Sequence, residues 1–126
     1  MKRLLITSTA AALFAMATPA LAHGSAEPTH GGVVQMAGET AVELVKTAQG
    51  LDVYFSDGHA EFPAASFDAS MIVTPANGEK FTVALKPASG NRLTAAGVKA
   101  GAGSKVVVSV VDKSTGAKSF ATFRYK

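Results

Sequence analysis

Apolar and polar residues alternate over short distances along most of this chain, the period of a half-buried β-strand. The clearest case is LDVYF, residues 51–55, with Leu51, Val53 and Phe55 on one face and Asp52 and Tyr54 on the other. VVQM (33–36) and AVELV (41–45) read as strands and flank Gly38-Glu39. SMIVT (70–74) leads through Pro75 to Asn77-Gly78, the strongest short hairpin signal, and KFTVALK (80–86) returns with Phe81, Val83 and Leu85 facing one way. NRLTAAG (91–97) gives a further short strand, and KVVVSVV (105–111) pairs with KSFATFRY (118–125) across DKSTGA. The Ala-rich AGVKAGAG could pass for helix, but its glycines mark it as loop.

These signals predict seven to eight short strands and no long helix. An all-β fold follows, an antiparallel Ig-like β-sandwich or small barrel over residues 32–126. Parallel pairing would need crossover helices for which the chain has no room. One long stretch lacks a strand pattern, SDGHAEFPAASFDA at 56–69, and structureless stretches of that length are often functional.

The first residues follow a different rule. Lys2 and Arg3 precede an apolar run from Leu4 to Ala17, and Pro19 and Ala20-Leu21-Ala22 come next. A positive start, an apolar stretch of this length and a small-x-small triplet form a secretory signal, expected over 1–22 with cleavage after Ala22. The run is short for a bilayer span and nothing later replaces it, so no transmembrane segment is expected in the mature chain. Export from the cytoplasm follows from the signal. HGSAEPTH, 23–30, is small, polar and bears Pro and Gly, which predicts a flexible N-terminal arm over 23–31.

Removing the signal changes the charge balance. Of twelve basic and nine acidic residues in 126, the leader takes two basic ones, which leaves ten against nine. No Lys/Arg run remains, so nucleic acid is not an expected partner. Cysteine is absent, which excludes disulfides, thiolate metal sites and cysteine catalysis.

The candidate chemistry lies in three histidines, His23, His30 and His59. Cleavage after Ala22 makes His23 the first residue, whose α-amine and imidazole Nδ1 can chelate one metal together. Cleavage after Ala26 would delete that chelate. A second imidazole from His59, with Asp57 as axial or outer-shell carboxylate, would complete a nitrogen-rich site suited to Cu(II). Asp57-Gly58 is equally a turn dipeptide, and His59 then a turn residue. The two glycines after His30 let the backbone turn sharply and approach the first strand, holding His30 either as a ligand or as a histidine that hydrogen-bonds the loop. Met36 and Met71 could serve Cu(I), but both sit in apolar strands and are expected to pack. Glu27, Glu61 and Asp68 are expected to be solvated.

His23 with Asp57-x-His59 resembles the CopC-type periplasmic copper-binding proteins, although their Asp-x-His lies near the C-terminus. A broader stretch, AHGSAEPTHGGVVQMAGETAVELV with LDVYFSDGHAEFP and LKPASGNRLTAAGVKAGAGSKVVVSV, resembles small uncharacterised proteobacterial periplasmic proteins. These share His-Gly-Gly-x-Val, a Glu-Leu-Val strand and a Tyr-x-x-Asp strand exit, and are related to the N-terminal domain of heavy-metal efflux adaptor subunits. Carried onto this chain, the resemblance reaches His30, Gly31, Gly32, Glu43, Asp57 and His59. It implies an envelope setting and metal handling.

Enzymatic signatures are lacking: there is no G-x-S-x-G elbow, and GVKAGAGSK runs into a valine strand instead of opening a helix as a P-loop must. The expected function is that of a non-enzymatic, copper-binding buffer or carrier accessory to metal efflux, with His23, His59, His30 and Asp57 as metal residues. Other divalent transition metals fit the same donors. The alternative is an interaction module that docks to an efflux adaptor or another envelope protein, with structural histidines.

Overall fold

The computed structural model describes residues 27–57 and 60–126. Among the described residues, nine strands form two antiparallel sheets. In chain order they are β1 (Val33–Ala37), β2 (Thr40–Thr47), β3 (Gly50–Ser56), β4 (Phe67–Thr74), β5 (Phe81–Ala84), β6 (Lys86–Pro87), β7 (Arg92–Ala96), β8 (Lys105–Asp112) and β9 (Lys118–Arg124). One sheet runs β1-β2-β3-β7-β6 and the other β5-β4-β8-β9. The architecture is a sandwich, and neither sheet closes into a barrel. No helix among the described residues is long and apolar enough to cross a membrane.

The alternation sorts residues onto faces as the sequence predicts. Val42 and Leu44 of β2 pair with Phe55 and Val53 of β3, and all four are buried between the sheets. They face Met71 and Val73 of β4, Val106, Val108 and Val110 of β8, and Phe123 of β9 in one core. Such aliphatic and aromatic burial, at about 25 cal/mol per Å² of apolar surface, is the main stabilising term in a chain without disulfides. Val98 and Ala100, in the loop read from AGVKAGAG, also belong to the core.

The strand count exceeds the expected seven to eight because residues 80–87 do not form one strand. β5 pairs with β4 in one sheet and β6 pairs with β7 in the other. Leu85 sits between them, buried, with its N–H donated to the Ala69 carbonyl at 3.0 Å. The chain crosses between the sheets at this buried residue.

The stretch 56–69 is also less open than its composition suggests. Ser56 and Glu61 form a bridge, Phe62 N–H donates to the Phe55 carbonyl, and a 3-10 turn follows at Ala64–Ser66. From Phe67 onward the stretch is already β4.

Candidate functional site

The register sets Val34, Glu43, Tyr54 and Arg92 side by side across β1, β2, β3 and β7. This row lies on the outer face of its sheet, since the alternate residues Leu44, Val53 and Leu93 enter the core. An outward glutamate would ordinarily be solvated. Glu43 is instead 5% exposed, because residues 29–32 lie over it.

The Glu43 carboxylate organises that segment. Its Oε1 accepts from Thr29 N–H at 3.0 Å and the Thr29 hydroxyl at 3.3 Å, and its Oε2 accepts from His30 and Gly32 N–H, each at 2.9 Å. The His30 ring Nδ1 lies 3.1 Å from Oε1. Burial alone would raise the carboxyl pKa, but the N–H groups of Gly32, His30 and Thr29 and the His30 ring outweigh it, and the net shift is downward. Glu43 is therefore an ionised carboxylate satisfied almost entirely by donors, as a buried anion must be.

His-Gly-Gly has a local reason at each position. Gly31 adopts φ +74°, a left-handed conformation that glycine takes without strain. A Cβ on Gly32 would collide with the Leu44 carbonyl and the Val45 side chain, so only glycine lets the segment approach β2 this closely. His30 then lies flat on Tyr54, with ring centroids 3.6 Å apart and planes 9° apart. Of the segment expected to be a flexible arm, 23–26 lie outside the described residues, and Thr29 and His30 hydrogen-bond to Glu43.

This contact has a chemical consequence for the imidazole. Nδ1 lies 3.0 Å from the Thr29 hydroxyl as well as 3.1 Å from Glu43. With that hydroxyl donating to the carboxylate, which only accepts, a neutral ring bonded to both carries its proton on Nδ1 and keeps the Nε2 lone pair. No described residue hydrogen-bonds Nε2, and the ring, about one-third exposed, lines a cavity of about 350 Å³. Glu27, Tyr54, Ser56, Ala60, Glu61 and Asn91 share that lining. Asn91 is held by its amide, which donates to the Phe55 carbonyl at 3.0 Å.

The expected metal residues do not all meet. Asp57 Oδ1 accepts the Ala60 N–H at 2.6 Å, closing the turn that Asp57-Gly58 predicts. Asp57 lines a different, larger cavity of about 700 Å³, with Phe62, Pro63, Phe67 and Asp112. His23 and His59 lie outside the described residues, although Ala60, which follows His59, lines the His30 cavity. Glu27 and Glu61 are exposed, as expected, and border that cavity. Met71 is fully buried in the core, and Met36 lies beside Ala41 and is not among the residues lining the cavity. Among the described residues, no three His, Asp or Glu side chains form a ready-made metal cluster.

Comparison of the chain with family models, curated proteins and solved structures finds no match.

Proposed function

We propose that this protein is exported to the periplasm and binds a transition metal ion there, Cu(II) first among them, with Nε2 of His30 as a ligand. The observation that supports this most is the Glu43–His30 contact. Metal-binding histidines characteristically give their other ring N–H to a carboxylate, which fixes the tautomer and raises ligand basicity. Here the carboxylate is buried and the ring is braced on Tyr54, so Nε2 is oriented before any ion arrives. The donors around the cavity are nitrogen and oxygen, which suits Cu(II), Zn(II) or Ni(II) better than Cu(I).

The described residues provide too few converging ligands by themselves, so the reading draws the remaining donors from Glu27 or Glu61 and from the imidazoles of His23 and His59. In this reading the protein is a buffer or carrier that serves metal efflux, as its resemblance to efflux-adaptor domains suggests. Titrating protein that lacks residues 1–22 with Cu(II) and Zn(II) tests it. His30→Ala should abolish tight binding, and Glu43→Gln should weaken it about 10- to 100-fold, the usual cost of losing a carboxylate behind a histidine ligand. Equal affinity in all three proteins would end the proposal.

A second reading rests on the larger cavity. Its apolar wall of Phe62, Pro63 and Phe67 could seat an efflux adaptor or another envelope protein, with His30 purely structural. Partner capture that chelator leaves unchanged and that Phe62→Ser abolishes would favour it.

A further inference from the structure

Asn77-Gly78 is the best hairpin signal in the chain, and β4 and β5 do pair around it, but not through a two-residue turn. A two-residue type I′ turn would place both residues at positive φ. No non-glycine residue among the described ones has positive φ, and Gly78 is not among the glycines that do. β4 ends at Thr74 and β5 begins at Phe81, so the pair sits in the middle of a six-residue connection, 75–80. The reason is the core: Val73 and Phe81 are the last register partners, and Pro75 cannot donate to the ladder.

The pair is therefore left chemically open. Residues 76–80 are all exposed. The Asn77 amide makes no hydrogen bond to any described residue, and the Gly78 N–H takes no part in the backbone bonds of the loops. The residue that follows the asparagine has no Cβ to shield that nitrogen. The only other asparagine is its opposite: Asn91 is 8% exposed, its amide is held by the Phe55 carbonyl, and Arg92 follows it.

We propose that Asn77 is a site of spontaneous deamidation, through a succinimide formed with Gly78. The Gly78 nitrogen attacks the Asn77 side-chain carbonyl carbon and gives up its proton. The bond from that carbon to Nδ2 breaks, and ammonia leaves. Water then opens the ring at either carbonyl, giving aspartate or isoaspartate, so the net reaction is amide plus water to acid plus ammonia, without an oxidant or a catalyst. Asparagine is among the thermolabile residues for this reason. The product carries a new negative charge three residues before Lys80. In the isoaspartyl form the backbone runs through the β-carbon, lengthening the link into the edge strand β5.

The test is incubation of the purified protein at mildly alkaline pH, followed by peptide mass mapping with isoaspartate detection. The Asn77 peptide should gain the mass of amide-to-acid conversion, with isoaspartate present and ammonia released in proportion. It should convert at a rate within severalfold of a free peptide of sequence PANGEK, while the Asn91 peptide stays unchanged. Gly78→Ala should slow conversion severalfold; its Cβ meets only the Pro75 ring, at 3.3 Å, so the fold should tolerate it. Circular dichroism of that variant checks the fold, and Asn77→Gln in the same turn supplies a second slow control. An Asn77 that persists as long as Asn91, or a rate that neither variant changes, would overturn the proposal.

Discussion

The two outer faces of the sandwich share a backbone plan and differ in what lies on them. On the β4-β8-β9 sheet the outward rows are Ser70–Ser109–Phe120 and Ile72–Val107–Thr122, read across the three strands. They hold small, β-branched and apolar residues without a buried charge, and Phe120 is half exposed. On the other sheet the outward row Val34–Glu43–Tyr54 holds a buried carboxylate, because the segment before β1 folds over it. Both faces satisfy the strand ladders equally. The contrast shows that alternation alone builds either face, whereas a buried carboxylate on one of them depends on the segment that covers it.

Substitutions at matched positions on the two faces sharpen that contrast. The largest loss should come from Glu43→Ala, about 3 kcal/mol in urea unfolding, since several N–H donors and the ring of His30 lose their acceptor. Gly32→Ala comes next, at about 2 kcal/mol, because its methyl group forces the segment off the Leu44 carbonyl. Acid should act in the same direction. The Glu43 pKa is lowered in the folded protein, so its contribution is complete above the ordinary glutamate value and lost as pH falls from there through the lowered one. The stability advantage of the parent over Glu43→Gln should therefore shrink over that interval in urea midpoints. Tyr54→Ala removes the stacked partner of His30 and should cost about 1 kcal/mol beyond the lost contact area. Phe120→Ser, on the bare face, should stay within about 0.5 kcal/mol. If Glu43→Ala proves no more costly than Phe120→Ser, the two faces do not differ as described.

The strands were legible wherever the local period was sufficient. LDVYF, KVVVSVV and KSFATFRY all lie in strands with the alternation their residues imply, since each has one face in the core. The sheet change at Leu85 was not legible, because KFTVALK keeps a perfect alternation through the crossing and only the partners of its neighbours reveal it. Asn77-Gly78 did mark the hairpin between β4 and β5, but not its loop length: turn preference is local, whereas strand ends are set by the core. The site was half legible. His30, Gly31 and Gly32 stood out as a motif, and Glu43 entered only through the family resemblance. Nothing local marks Glu43 as buried, because its burial depends on a segment that returns from eleven or more residues away. Asp57 was placed with the histidines by sequence proximity, yet its side chain closes its own turn and borders the other cavity.

The central claim is that Glu43 presents His30 with its proton on Nδ1 and Nε2 open to an ion. Nitrogen-15 NMR of the His30 ring, recorded before and during titration with diamagnetic Zn(II), tests it most directly. The account predicts that the neutral ring of the apo protein is the Nδ1-protonated tautomer, and that adding zinc shifts Nε2 strongly and Nδ1 little. A proton found on Nε2, or a ring whose nitrogens stay unmoved at saturating zinc, would contradict it.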